Sequence, residues 1–497
     1  MSTGHVTGLV STVGFWIFLL SISLAGHFLI AEPGTFPGWD ESVFFSQSGD
    51  IVGVDSEPSS YAASREPGTP LLIASLRALG LNMESMRLAF LAVYVSLVAF
   101  GFFLLSPMLG WGSVAGFAVM VGHWISLAYS ARFFGVPIAA ALFVVAVACA
   151  ARLTSEPTEQ RRWLWASGLV LSVVGMLAMR HLEAPLAATL LFMMIGLISI
   201  GRPRRLAMVI GAGIAALAVF AGVEIMRASY YHGSFGAWVD ALNSQLGGVP
   251  LTSDGQVERL LKVAGSLGGG YHLWIGERIP TPSWIGTGIA VVGVWSVVLL
   301  ATVRARRDQF KSRNDPARFV LWVGLVVTCA YFALFTVGRY PSSPKDRYLM
   351  WIVASSALLV AALLRHRMTK RHVVALLSAL GLFIAGGVAA AQHDISNLLN
   401  NGEGLRQIGL TMHVLAGGES CEARARYGAP ALQLASGCQV RSVTDLESAE
   451  EWLREPSDGS IRFLVFPAAS ELEAIPGWAI ASRLGGSVNL WYLPTTP

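Results

Sequence analysis

The chain has 497 residues, of which 54% are hydrophobic and 13% charged; a soluble chain of this length needs far more charge to cover its surface. The net charge is +4, and Lys and Arg gather in short clusters between apolar runs, which argues for topology signals and against a nucleic-acid footprint. Apolar runs of roughly 17–25 residues, the length that crosses hydrocarbon, recur along the chain, so the expected class is a polytopic α-helical membrane protein.

The N-terminal run lacks a basic leader and a small-residue cleavage site, and is expected to be a first span and not a cleaved signal peptide. About eleven transmembrane helices are expected, over residues 9–31, 87–106, 112–130, 133–151, 163–180, 184–200, 206–226, 284–303, 318–338, 348–364 and 373–391. The basic connections are 152–162, 202–205, 304–318 and 365–371. With eleven spans all four fall on one side, which the positive-inside rule assigns to the cytoplasm. Residues 32–86, 227–283 and the tail 392–497 then lie outside. The expected domains are a membrane domain, 1–391, and a small α/β extracytoplasmic domain, 392–497. In that tail, residues 462–466 (RFLVF) and 487–493 (SVNLWYL) read as strands, and 445–455 (DLESAEEWLRE) as an amphipathic helix. Cys149 and Cys329 fall within spans and read as packing residues. Cys421 and Cys438 lie in the tail, where an oxidising exterior permits a disulfide.

Several charges run against the positive-inside pattern. Arg65, Arg132, Arg180 with His181, and Lys345 with Arg347 each sit at or near the outer end of an expected span. Taken singly, such residues snorkel to the interface, and His181 reads as a structural partner of Glu183 or of a backbone group. Their recurrence in four connections fits a phosphate-binding site, with Arg offering a bidentate fork. Just beyond the first span, PGWDE places Asp40 and Glu41 side by side. Asp40 could cap a helix beginning at DESVFF. It could also serve as a base: a sugar carried on a lipid phosphate already has a good leaving group, so transfer needs cations and one positioned base. Glycosidic hydrolysis typically wants two carboxylates on opposite sides of the bond, which adjacent residues rarely supply. Residues 58–80 begin polar and end apolar, and could lie along the outer interface.

In order along the chain, Trp39-Asp40-Glu41, the proline-rich Arg65-Glu66-Pro67-Gly68-Thr69-Pro70, Ala131-Arg132-Phe133 and Arg347-Tyr348-Leu349 resemble the motifs of the GT-C superfamily of membrane glycosyltransferases. That group uses polyprenyl-phosphate-linked sugars and includes protein O-mannosyltransferases and lipid A aminoarabinose transferases. The resemblance covers roughly residues 10–365. It implies a GT-C-like fold, inverting sugar transfer on the outer face of a plasma (inner) membrane of bacterial type, and Asp40 as base with Glu41 in support. It also implies donor-phosphate ligands among Arg65, Arg132, Lys345 and Arg347, while Glu66, Arg180, His181 and Tyr348 take acceptor or structural roles. The expected partners are a polyprenyl-phosphate-linked sugar, a glycan, lipid or protein acceptor, and the bilayer; no nucleic acid is expected. No cofactor or metal ligand set is assigned, and a divalent metal stays open. Two departures stand out. Ser42, Val43 and Phe44 follow the acidic pair where the superfamily often has tyrosine, and Tyr271-His272-Leu273-Trp274 matches no motif of the group.

Two other functions compete. An O-antigen-type polymerase or ligase would use a large late outer loop, and Arg259, Lys262, His272 and Arg278 in 227–283 keep that reading open. A transporter or flippase would place polar groups at mid-membrane, where these spans carry few. The topology is open to direct test: a reporter active only in the cytoplasm, fused after Gln392, is expected to stay silent, and activity there would reverse the orientation.

Overall fold

The protein is described by a computed structural model covering residues 3–31, 37, 39–52, 66–156, 158–181, 183–200, 202–234, 236–237, 256–267, 315–337, 346–365, 370–425, 429–443, 452, 460–467, 479–484 and 488–492. In chain order the helices are α1 (Thr3–Ala31), α2 (Trp39–Val52), α3 (Gly68–Ala78), α4 (Met83–Leu109), α5 (Trp111–Gly122), α6 (Trp124–Tyr129), α7 (Gly135–Ser155), α8 (Glu159–Met179), α9 (Ala184–Ser199), α10 (Pro203–His232), α11 (Gln256–Leu267), α12 (Pro316–Val337), α13 (Met350–Leu363) and α14 (Lys370–Ala416). Two compact units form: Met1–Glu32, Glu66–Thr69 and Arg87–Asp394 make one, and Pro33–Arg65, Pro70–Met86 and Ile395–Pro497 the other.

The first unit is a helix bundle. Hydrocarbon offers backbone groups no water, so each spanning segment must satisfy its own hydrogen bonds as a helix. Six helices among the described residues are long and apolar enough to cross a membrane: Val13–Ile30 within α1, α4, α7, α8, Pro203–Met226 within α10 and Pro316–Thr336 within α12. Shorter apolar helices cover Trp111–Gly122, Ala184–Ser199, Arg347–Leu363 and Leu380–Gln392. The expected span 284–303 lies outside the described residues. α7 is buried on nearly every face and is apolar all round, as a central helix must be. α13 is buried in the same way, through Met350, Trp351, Ala354, Ala357, Leu358 and Ala361. α1 and α10 instead turn apolar side chains outward, among them Phe18, Leu29, Ile214 and Leu217, as helices bathed in acyl chains do.

The expected span 112–130 is broken at His123. There the backbone leaves the helical region (φ −67°, ψ 138°), and the His123 ring accepts the Ile125 N–H through Nδ1. The break stands because its loose polar groups are met by neighbours. Tyr94 and Ser126 hydroxyls both donate to the Met120 carbonyl, and Trp124 Nε1 donates to the Ser266 carbonyl at 2.7 Å. The helix that carries the last expected span, 373–391, runs on to Ala416.

In the second unit, strands β1 (Cys421–Ala425), β2 (Gln439–Ser442), β3 (Ile461–Pro467), β4 (Ala479–Leu484) and β5 (Val488–Tyr492) form one sheet in the order β2-β1-β3-β5-β4. A helix, α15 (Ala429–Ser436), connects β1 to β2. β1 pairs in parallel with β2 and β3, and β5 antiparallel with β3 and β4. The parallel β1–β2 pair needs a crossover, which α15 supplies. Ile408 and Met412 of α14 close the core against Ala423, Leu432, Phe463 and Leu490. The expected strands at 462–466 and 487–493 are β3 and β5; the expected helix at 445–455 lies outside the described residues apart from Trp452. α2 packs against α15. Arg77 of α3 donates to the Phe45 carbonyl and the Ser48 hydroxyl, both at 3.1 Å, and stacks on the Phe45 ring.

Cys421 and Cys438 are disulfide-bonded, 17 residues apart in sequence, and the bond joins β1 to the residue before β2. Closing a loop of this size typically stabilises a fold by about 3 kcal/mol. Protein prepared without reductant should therefore leave Cys421 and Cys438 unmodified by a thiol alkylator after denaturation. Cys438→Ser should unfold the sheet at lower denaturant; alkylation of both cysteines in unreduced protein would contradict the pairing.

Candidate active site

The helix bundle has two chemically distinct ends. α7 and α8 run antiparallel, so the start of α7 meets the end of α8. At Gly135 a Cβ would lie 2.5 Å from the Met179 carbonyl and 2.6 Å from Thr69 Oγ1. At Gly68 it would lie 2.9 Å from the Ala178 carbonyl. Glycine is what lets the 66–69 segment and both helices converge here. At the other end, Arg205 donates to the Thr154 carbonyl, Arg152 to the Leu104 carbonyl, and Arg365 pairs with Asp315. α12 joins the two ends: it starts beside Asp315, and its Tyr331 donates to the Glu183 carbonyl at 2.7 Å. Among the described residues of the expected basic connections, Arg205 thus meets the end of α7 at Thr154, and Arg365 meets Asp315.

Arg180 organises the first end. It ends α8, where the helix dipole favours a cation, and Glu183 begins α9, where it favours an anion. Arg180 donates through Nε to Glu183 Oε2 at 2.8 Å, and through its other nitrogens to Glu183 Oε1 and Glu66 Oε1. All three side chains are buried. Burial alone would depress the charge of Arg180. The Glu183 and Glu66 carboxylates, with Tyr348 beside them, more than reverse this and hold its pKa well above the ordinary value.

Arg347 lies in a 3-10 turn, Asp346–Leu349, that packs against α6, α7 and α11. Its guanidinium sits 4.4 Å from the Phe134 ring centroid, and Nη2 donates to the Tyr348 hydroxyl at 3.3 Å. Tyr348 is shared: Arg180 lies 5.0 Å and Arg347 5.1 Å from its ring. Arg132 is buried in the tight turn between α6 and α7, where the Phe134 N–H donates to the Arg132 carbonyl at 2.7 Å. Phe134 thus follows one arginine in sequence and lies under the other. Arg87 is fully buried at 0% exposure, with its guanidinium 5.5 Å from the Phe133 ring.

Of the residues expected from sequence, the bundle brings together Glu66, Arg132, Arg180, His181, Arg347 and Tyr348; His181 is buried in the turn after Arg180. Glu183, expected as a partner of His181, is a partner of Arg180. Asp40 and Glu41 belong to the second unit, in the first turn of α2, where the helix N-terminus stabilises carboxylates. Glu41 is buried, and the Asp40 side chain lies outside the described residues. Arg65, Lys345, His272 and Arg278 also lie outside them. Arg259 is half-buried on α11, whose Ser266 and Leu267 carbonyls meet Trp124 and His123. Among the described residues no group of three His, Cys, Asp or Glu is placed to hold a metal ion. Sequence reasoning passed over Arg87 and Phe134. Arg87 could have been noticed as one more cation opening an outer span end.

The triad makes a quantitative statement. Removing one partner of a buried ion pair strands the others, typically at a loss of about 3–5 kcal/mol. Arg180→Met should lower unfolding stability in detergent by that amount, and Glu66→Gln by less. Unchanged melting in Arg180→Met would mean the triad carries no structural weight.

No protein-family model matches the sequence, and no curated protein matches it. Solved structures do. ArnT from Cupriavidus metallidurans in the apo state matches with a TM-score of 0.63 at 11% identity, covering 99% of both chains. The same protein bound to undecaprenyl phosphate matches with a TM-score of 0.61 at 12% identity, over 100% of this chain and 99% of that one. The arabinofuranosyltransferase AftD from Mycobacteria matches at 0.48 and 13% identity, over 96% of this chain and 40% of its own length. At such identities likeness speaks for fold, and the chain has, over its whole length, the fold of ArnT, a GT-C glycosyltransferase.

Proposed function

We propose that this protein is a membrane glycosyltransferase that moves a sugar from a polyprenyl-phosphate carrier to an acceptor hydroxyl of a glycan, lipid or protein. Transfer takes place on the outer face of a bacterial plasma membrane and inverts the anomeric centre. In this reading about eleven spans cross the bilayer, and the tail from 392 onward is an extracytoplasmic α/β domain. One observation carries the proposal: buried arginines gather at a single end of a bundle whose fold is that of a protein solved with undecaprenyl phosphate.

The chemistry follows from the groups. The acceptor oxygen attacks the anomeric carbon, the bond from that carbon to the phosphate oxygen breaks, and polyprenyl phosphate leaves. Asp40 takes the acceptor proton, and Glu41 orients the acceptor or a neighbouring cation. The leaving phosphate gains charge as the bond breaks, so preplaced cations favour the transition state over the ground state. Arg65, Arg132, Lys345 and Arg347 fill this role. Arg347 suits it because an aromatic face positions its guanidinium. Arg180 is committed to Glu66 and Glu183 and serves structure.

The test uses purified full-length enzyme and a polyprenyl-phosphate sugar. Asp40→Asn should bind donor normally while transfer falls about 100-fold or more, and Glu41→Gln should lose less. Arg132→Ala and Arg347→Ala should instead weaken donor binding by roughly 10- to 150-fold, as expected for a lost charge-assisted bond. A normal transfer rate in Asp40→Asn would defeat the proposed base.

A further inference from the structure

The other end of the bundle carries a second feature. α8 and α10 pack side by side and both begin there, and between their first halves lies a cavity of about 780 Å³. Glu159, Arg162, Trp163, Arg204 and Arg205 line it near the helix starts. Further along, its wall is apolar, built from Val170, Leu171, Ala212 and Ala215. At 1.5 Å per residue, the stretch from Arg204 to Ala215 is about 16 Å long, comparable with much of an acyl chain.

Three arginines face one glutamate in this lining. Arg162 Nε donates to the Glu156 carbonyl at 2.8 Å and Arg205 Nη1 to the Thr154 carbonyl at 2.7 Å. Those bonds aim the guanidinium groups. Arg162 and Arg202 both lie close enough to Arg205 to repel it. The placement is also unfavourable for the helices themselves. Arg204 and Arg205 stand in the first turn of α10, and Arg161 and Arg162 close the first turn of α8, where the macrodipole disfavours cations. The positive-inside rule accounts for the side of the membrane these arginines occupy; it does not account for their convergence on a cavity with an apolar wall. Trp163 at the mouth is 59% exposed, as expected of a side chain at a lipid headgroup boundary.

We propose that this cavity binds an anionic glycerophospholipid of the surrounding bilayer. Its phosphate is held by Arg162, Arg204 and Arg205, and one acyl chain runs along Val170, Leu171, Ala212 and Ala215. A basic pocket between transmembrane helices fits such a headgroup. A free phosphate ion would use the arginines and leave the apolar wall without a purpose. The site is separate from the proposed transfer site, at the opposite end of the same bundle.

Full-length protein in a neutral detergent is titrated with phosphatidylglycerol, with phosphatidylcholine, and with inorganic phosphate, and bound lipid is counted by native mass spectrometry. Phosphatidylglycerol should be retained at least about tenfold more tightly than phosphatidylcholine. Each arginine near a membrane surface contributes about 1 kcal/mol, so Arg204→Gln with Arg205→Gln should weaken phosphatidylglycerol roughly 25-fold. Ala215→Trp keeps every charge but fills the apolar wall, and should also weaken it, with the melting temperature of the lipid-free protein showing that the variant folds. Equal retention of the two lipids would overturn the proposal, as would undiminished phosphatidylglycerol binding in either variant. Displacement of the lipid by millimolar inorganic phosphate, with Ala215→Trp silent, would identify a simple anion site and overturn it equally.

Discussion

A guanidinium sealed from water must be answered by carboxylates or hydrogen-bond acceptors at the same depth, or the structure around it does not form. Arg180 states that constraint for this protein. It ends one helix, Glu183 starts the next, and Glu66 arrives from a segment more than a hundred residues earlier. Three parts of the chain are tied at one point, and Tyr331 and Tyr348 add two more. The glycines at 68 and 135 are the steric counterpart, since the backbones around the triad approach too closely for a side chain there. Together these fix the end of the bundle where the proposed chemistry belongs.

The arginines of that end have partners of more than one kind. Arg180 faces two anions, and its charge is absorbed into the scaffold. Arg347 and Arg87 lie against aromatic faces, Phe134 and Phe133, which follow Arg132 directly in sequence. An aromatic face attracts a cation through its quadrupole and leaves the net charge in place. The short stretch Arg132-Phe133-Phe134 therefore contributes a charge and the platforms for two others, and rigid platforms reduce the ordering entropy of gripping a phosphate. The fold shared with ArnT gives this arrangement a setting, and the residues, not the fold, carry the functional reading.

The opposite end solves a different problem with the same side chain. There Arg152 donates to the Leu104 carbonyl within α4 and Arg205 to the Thr154 carbonyl at the end of α7. The bond at Thr154 satisfies an orphan acceptor at the end of α7.

What the sequence by itself determined are the features written in local pattern. Long apolar runs located the helices, because hydrocarbon permits little else, and the clustering of arginine separated the two ends. β3 and β5 were legible as apolar, β-branched and aromatic stretches, and Arg132, Arg180 and Arg347 as cations at span ends. The tertiary structure decided what depends on distant partners. The break at His123 exists because Tyr94, Ser126 and Ser266 meet its polar groups, and no window around His123 contains Tyr94 or Ser266. Glu183 lies two residues after His181 in sequence and pairs with Arg180, because the turn between α8 and α9 brings the two charges together and Glu66 completes the set. The helix bearing Asp40 and Glu41 joins the unit of the C-terminal sheet through α15, nearly four hundred residues away in the chain. Periodicity and charge are properties of neighbours in sequence; which carboxylate answers which buried cation is a property of packing, and it is settled only when the chain closes on itself.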